Sequence, residues 1–261
     1  METSLRKSFA IQRRVIGALL MREVITRYGR HNIGFLWLFV EPMIFTLGVM
    51  GLWHLSGAGH GHGVSPAAFA ITGYSSVLLW RNIANRCVNC VEPNRALMNH
   101  RNVRLGDICF ARALLELAGA TASFLLLGTW FAICDWMPPP VDVLSILAGW
   151  LMLFWFGTTL GALLGSLSTY SEIVEKIWHP TTYFLFPLSG AVFLVEWLPP
   201  SVQQVVLWLP MVHGSELVRH GFFGSLVHAH YDLAYFGAVN LCLTLLALAQ
   251  MRLAGRRTIP E

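Results

Sequence analysis

Glu41, Arg112 and Glu116 stand inside long apolar stretches, where an ionised side chain is costly unless a counter-charge or water reaches it. Arg112 and Glu116 are spaced to pair one helical turn apart; alternatively, the arginine can meet an anionic group from outside its own helix. Glu41 has no local partner, so it must face a cavity, a headgroup layer or a cation on another helix, with Arg112 a candidate. Pro42 directly follows it and, lacking an N–H, is expected to kink or open the helix there. Cys87-x-x-Cys90 has the spacing of half a zinc site, but no second pair follows, and thiols in a reducing loop are commonly idle. His60, His62, His228 and His230 could share a metal only if their loops met. We expect solvent-facing histidines, no bound metal and no structural disulfide among the five cysteines.

Several chemistries are disfavoured outright. No G-x-x-x-x-G-K-[ST] occurs, so the chain encodes no cradle for nucleotide phosphates. Nor is there an H-E-x-x-H, a G-x-S-x-G, or a loop-borne carboxylate pair with convincing hydrolase spacing. An enzyme is disfavoured, and any pumping must draw its energy from another polypeptide.

The elements that position these charges are membrane helices. The 261 residues are 55% hydrophobic and only 12% charged, with mean hydropathy +0.57, which points away from a water-soluble domain. The sequence predicts an all-α polytopic protein with six spans at Ile33–Leu55, Ala67–Ala84, Ile108–Cys134, Val143–Leu167, Trp178–Trp197 and Leu233–Met251. Each is near the ~20 residues that cross ~30 Å of hydrocarbon. Residues 1–32 form a cytoplasmic interface segment, 33–251 the transmembrane domain and 252–261 a cytoplasmic tail. No cleavable signal is expected, because the basic N-terminus has no continuous apolar core.

Orientation follows from charge. Of the 18 Lys and Arg, all but Arg112, inside a span, and Arg219 fall on the side of the termini, which the positive-inside rule makes cytoplasmic. Within the N-terminal segment, Phe9, Ile11, Val15, Ile16, Leu19 and Leu20 share a broad helical arc opposite Arg6, Lys7, Arg13 and Arg14, with Gln12 the misfit. Such a helix lies along a membrane surface, with Arg13, Arg14, Arg22 and Arg27 free to contact lipid headgroups or a cytoplasmic partner. The segment at about 198–231 is too apolar for a plain aqueous loop; Ser201–Leu209 and Val212–Phe223 read as short re-entrant helices dipping into the outer leaflet. Most of the ten tryptophans map near span ends, either as an interfacial aromatic belt or as stacking surfaces on which a glycan could slide. On the second reading Trp37, Tyr170 and Trp178 join Glu41, Arg112 and Glu116 along a substrate path.

Three blocks carry a family resemblance. Met21-Arg-Glu-Val-Ile-Thr-Arg-Tyr-Gly-Arg-His-Asn-Ile-Gly-Phe-Leu-Trp37, continuing to Glu41-Pro42, resembles the N-terminal signature of polysaccharide-export ABC permeases, most closely the capsular branch. Asn94-Arg95-Ala96-Leu97-Met98-Asn99-His100-Arg101-Asn102-Val103 with Asp107, Arg112 and Glu116, and Pro210-Met211-Val212-His213 with Glu216, Leu217 and Arg219, agree in order along the chain. The Gly/His-rich loop Ser56–Pro66 and His100, where capsular relatives often carry an aromatic, are departures.

The resemblance implies a homodimer in the Gram-negative inner membrane, each copy seated on a separate ATPase subunit that carries the ATP and magnesium, and no cofactor on this chain. It implies export of lipid-linked capsular polysaccharide, with a periplasmic co-polymerase or adaptor and an outer-membrane channel as further partners. O-antigen or teichoic-acid export shares the architecture. An intramembrane enzyme on lipid-linked sugars is the reading from another class, as is a gradient-driven carrier, for which no internal repeat is evident. The coupling segment best matches 86–104, with Glu92, Pro93, Asn94 and Arg95 at its centre. Arg112 and the basic N-terminus are expected to attract the phosphate and acidic sugars of the glycolipid.

Overall fold

The computed structural model describes residues 5–28, 33–56, 63–98 and 103–258. His60, His62 and His100 lie outside the described residues, as do the side chains of Arg27, Arg95, Arg256 and Arg257. Among the described residues the regular structure is entirely helical.

Helix α3 (Pro66–Val88) is the axis of the fold. Ser65 caps its start by accepting from the Ala68 N–H, and Pro66 occupies the first turn, where no backbone donor is needed. Every side chain from Ala67 to Trp80 is buried. Around it pack α2 (Ile33–Ser56), α5 (Leu105–Ile133), α6 (Val143–Ser168) and α9 (Pro210–Phe223), with α7 (Ile173–Leu188) alongside and α10 (Leu233–Thr258) behind α6. Enclosure explains how α3 carries Thr72, Tyr74, Ser75 and Ser76 within a membrane-type bundle. Thr72 and Ser76 donate back to the carbonyls of Ala68 and Thr72 at 2.6 Å, so their hydroxyls need no outside partner.

Helices α5, α6 and residues Leu233–Gly255 of α10 are long and apolar enough to cross a membrane. They turn Leu125, Leu126 and Trp130, Leu144, Leu147 and Leu151, and Leu241, Leu245 and Leu248 outward, as hydrocarbon as the outer solvent requires. A shorter apolar piece, Phe39–Leu55, lies in α2. Helix α2 runs through Pro42 without interruption, and the Thr46 hydroxyl takes up the Pro42 carbonyl at 2.8 Å. Asp142 caps α6 by accepting from the Leu144 N–H and the Ser145 hydroxyl, and the bond from that hydroxyl holds the Asp142 carboxyl below its usual range.

The fifth apolar stretch departs from expectation. Its helix, α7, begins at Ile173 and ends at Leu188. Its 16 residues are ~24 Å long, short of the ~30 Å of a full span. Gly190, at φ +83° two residues beyond the helix, supplies the left-handed conformation that terminates it. The chain then continues to a 3-10 turn at Val195–Trp197. Trp197 stacks on Phe69 and lies against Trp53, 5.1 and 5.9 Å between ring centroids, so the stretch still reaches the end of the bundle opposite the termini.

The N-terminal helix α1 (Leu5–Tyr28) also differs. Val15, Ile16, Leu19 and Leu20 pack on the bundle core, whereas Phe9, Ile11, Met21 and Ile25 are exposed. It has two apolar stripes where one arc was expected. Gln12 belongs to the packed stripe, one turn before Val15 and Ile16, and its amide donates to Asp107 of α5.

What brings α3 and α6 together is a row of glycines at i, i+4, i+8. A Cβ at Gly157 would lie 2.8 Å from Trp80 Cα, at Gly161 2.9 Å from Cys87 Cβ, and at Gly165 2.6 Å from the Cys87 carbonyl oxygen. Small residues at this spacing let two backbones approach where hydrocarbon gives no hydrophobic drive for association. Gly161→Ala should therefore destabilise the detergent-solubilised protein by ~1–3 kcal/mol, whereas Gly237→Ala on α10, where a Cβ meets nothing within 4 Å, should leave the thermal unfolding midpoint unchanged or slightly raised. Equal midpoints for the two variants would remove the seam from this account.

Candidate functional site: a polar cleft and its two clamps

Glu41 and Glu116 face one cleft. Pro42, Ser75, Leu78, Asn82, Gly119, Ala120 and Ser123 complete its lining between α2, α3 and α5. Glu41 accepts a hydrogen bond from the Tyr74 hydroxyl at 3.0 Å, so its partner is a phenol and not Arg112. Tyr74 stacks on Phe45 at 4.0 Å, and Phe186 of α7 meets both rings edge-on. Ser75 is 3% exposed and its hydroxyl has no hydrogen-bond partner among the described residues. Buried hydroxyls are usually satisfied; this one borders the cleft, which two carboxylates, an amide and two hydroxyls make rich in hydrogen-bonding groups.

Arg112 and Glu116 bond to different helices. Arg112 Nε donates to Glu23 of α1 at 2.8 Å, and Nη1 donates to the carbonyls of Arg86 and Asn89 at 2.6 and 3.0 Å. Those carbonyls close the end of α3, so one guanidinium caps that helix and ties α1 to α5. Glu116 pairs with Arg86 at 3.4 Å. Expected from sequence to attract the glycolipid, Arg112 here uses its Nε and Nη1 on Glu23 and two carbonyls. It is a structural tie.

Beyond α3, a 3-10 turn at Glu92–Asn94 leads into α4 (Arg95–Met98). Asn94 is buried, its amide donating to the Cys90 carbonyl at 2.8 Å and its oxygen accepting from Arg22 of α1. Glu92 and Pro93 are exposed. Arg22, expected at headgroups or a partner, thus latches α1 onto the turn. Arg13 and Arg14 remain exposed. Cys87, Cys90 and Cys109 are free, buried thiols; Cys90 and Cys109 sulfurs lie 3.5 Å apart, and among the described residues no group of three or more His, Cys, Asp or Glu is arranged to hold a metal ion.

The aromatic candidates separate. Trp37 is exposed on α2 and Tyr170 is exposed beyond α6. Trp178 is buried, and its indole N–H donates to Asn85 at 2.8 Å; its ring is packing between α7 and α3 and offers no face to a sugar.

Opposite the termini, α9 supplies a second clamp. Glu216 and Arg219 are both 0% exposed and 3.8 Å apart. Arg219 donates to the carbonyls of Phe193 and Ala191 and lies over the Phe69 ring at 4.5 Å. Glu216 accepts from the N–H groups of Val195 and His230 at 3.3 and 3.1 Å. Arg219, placed by the sequence on the side away from the termini within the short helix Val212–Phe223, proves fully enclosed together with Glu216. The His213 ring takes the Asp232 N–H on Nδ1 at 2.9 Å, which leaves its Nε2 hydrogen to donate to the Leu207 carbonyl at 2.8 Å. The short helices α8 (Pro200–Val206) and α9 fall where the apolar segment predicted them.

The description of the ABC-2 type transporter family matches residues 14–223, both clamps and the cleft included. The chain belongs to this family. Over 260 residues, all of this chain and 98% of the relative, the ABC-2 subunit is 44% identical to the capsule polysaccharide export inner-membrane protein CtrC of Neisseria meningitidis serogroup B. It is 39% identical over the same shares to BexB of Haemophilus influenzae, a capsule polysaccharide export inner-membrane protein. With the polysialic acid transport protein KpsM of Escherichia coli the identity is 26%, over 95% of this chain and 96% of the relative.

In this ABC-2 fold the far clamp sets a clear stability order. Arg219→Met strands the Glu216 carboxylate in a dry site and should cost ~3–5 kcal/mol. The double variant Arg219→Met with Glu216→Met removes both charges and should unfold at a higher temperature than the single one. A double variant that is the less stable would show that the clamp works through its backbone hydrogen bonds alone.

Proposed function

We propose that this chain is the transmembrane subunit of an ATP-driven exporter that moves lipid-linked capsular polysaccharide across the inner membrane, powered by a separate ATPase subunit that holds the ATP and magnesium. The observation that carries the reading is full-length similarity to inner-membrane capsule export proteins from two organisms. The working unit is a homodimer seated on two ATPase copies, with both termini cytoplasmic, as the basic end of the chain requires. A periplasmic co-polymerase or adaptor and an outer-membrane channel receive the polymer.

The division of labour follows the geometry. Glu92, Pro93 and Arg95 belong to the turn and short helix at the basic end, and Glu92 and Pro93 are exposed on the face that would meet the ATPase. Residues 1–32 act with them as one cytoplasmic contact, because Arg22 holds Asn94. Arg112 joins the same α1 to the end of α3 and to α5, so displacement of the contact reaches the helix that carries Glu116. The cleft of Glu41 and Glu116, with Trp37 and Tyr170 exposed nearer the basic end, borders the route of the glycan.

Two measurements test the reading. In the bacterium that carries this chain, its deletion should leave lipid-linked polysaccharide inside the cell and none on the surface, and surface capsule in the deletion strain would refute it. In proteoliposomes of the permease with its ATPase, Glu92→Arg should leave ATP hydrolysis within about twofold of the parent while export falls roughly tenfold or more, the loss expected when a charged interface contact worth ~2 kcal/mol is reversed. Parallel loss of binding, hydrolysis and export would mean that Glu92 only anchors the ATPase.

A further inference from the structure

Arg81 is a guanidinium inside a helix with no counter-charge paired to it among the described residues. It falls near the cytoplasmic end of the expected second span, Ala67–Ala84; α3 continues to Val88, which places Arg81 two turns, ~10 Å, short of the helix end. Its Nε is buried without a hydrogen-bond partner. Among the described residues its defined contacts are the faces of Tyr183 and Phe186 on α7, with the guanidinium carbon 5.4 and 5.7 Å from the ring centroids. The acids nearby are engaged elsewhere: Glu41 by Tyr74, Glu116 by Arg86, and Glu175 by Asn89 and His179.

Stacking over an aromatic face uses the flat side of a guanidinium and leaves its in-plane N–H fork free for a planar or tetrahedral oxyanion. A cation at this depth without such a partner is costly. The approach to it is open on the α7 side, where Tyr183 and Phe184 are 70% and 74% exposed. Aromatic flanks of this kind accept acyl chains and the apolar faces of sugars alike. The adjoining cleft, lined by Glu41 and Glu116, repels an anion and accepts hydroxyl donors.

We propose that Arg81, braced on Tyr183 and Phe186, binds the oxyanion of an amphiphile, a phosphodiester or carboxylate at the junction of lipid and headgroup, which enters along α7. The hydroxyls attached to that junction then point toward the carboxylate-lined cleft. Bulk anionic phospholipid and the phosphate of a lipid-linked glycan present the same chemistry; the second source rests on the export reading above, the oxyanion site does not.

Native mass spectrometry of the full-length protein in neutral detergent tests this with three probes: dioleoylphosphatidylglycerol, dioleoylphosphatidylcholine, and a lysophosphatidylglycerol extended by a short oligosaccharide. The parent should retain the anionic lipids roughly tenfold more tightly than the zwitterionic one, the size of one charge-assisted hydrogen-bonded contact. Arg81→Gln should erase that preference, and Arg81→Lys, which keeps the charge and serves if the glutamine variant misfolds, should retain part of it. Tighter retention of the glycosylated probe assigns the site to substrate; equal retention assigns it to phospholipid. An anionic preference that survives Arg81→Gln in folded protein overturns the proposal. Because this readout needs neither ATPase nor polymer, it can fail while capsule export stands, and the converse.

Discussion

An ionised group in hydrocarbon must bring its partner with it, and this constraint organises the charges of the bundle. At the far end Glu216 and Arg219 satisfy each other together with two carbonyls and two backbone N–H groups. At the basic end Arg112 divides itself between Glu23 and two carbonyls, and Arg86 answers Glu116. Glu216 and Arg219 share α9, and the other partners come from elements distant in sequence or from a helix end with spare carbonyls. The charges therefore specify which elements meet. An apolar replacement of the same volume could pack as tightly without choosing a register.

Charge pairing needs a scaffold close enough to reach across, and small residues provide it. Gly157, Gly161 and Gly165 bring α6 onto the α3 backbone, while Gly73 leaves room beside α3 for the Arg219 guanidinium and the Ala191 carbonyl, 2.5 and 2.6 Å from where a Cβ would stand. The glycine seam and the far clamp thus meet the same central helix from two sides. Because α3 is walled in by protein from Ala67 to Trp80, its hydroxyls and phenol are tolerated, and the polar cleft can exist beside Ser75.

The sequence disclosed the helices and concealed their partners. The bounds of α2, α5 and α6 follow from apolar length to within three residues, α10 runs on past Met251 through the basic residues expected to form a tail, and the short helix α9 follows from Pro210 and the apolar run after it. Hydropathy could not tell the bundle-facing stripe of α1 from the outward one, so Gln12 looked misplaced until Asp107 was opposite it. The i,i+4 spacing of Arg112 and Glu116 made a local pair attractive, but tertiary neighbours outbid it. Arg81 sits inside the expected second span, but its charge reads as the cytoplasmic end of the apolar run, which hides that packing on aromatics carries the helix further. Gly157, Gly161 and Gly165 were legible as a small-residue repeat, a signal left unused for want of a partner helix. Glu41 did face a cleft, one of the places its lack of a local partner required.

The two ends of the bundle differ in how firmly they are held, and that difference bears on how force could pass through it. The far clamp has no exposure to solvent and binds backbone on three sides, so disrupting it exposes charge to a dry interior. The basic-end contacts use long side chains that reach solvent: Arg86 is 53% exposed and Glu23 22%, and water can replace what they lose. Contacts of that kind break and re-form at small cost. An ATPase pulling on α1 and the Glu92–Asn94 turn would therefore shift the basic end first, with Arg112 carrying the displacement into α5 and the cleft while α9 stays fixed. On the export reading proposed above, the asymmetry suits a conduit in which the loading side responds to the motor and the exit side keeps its shape.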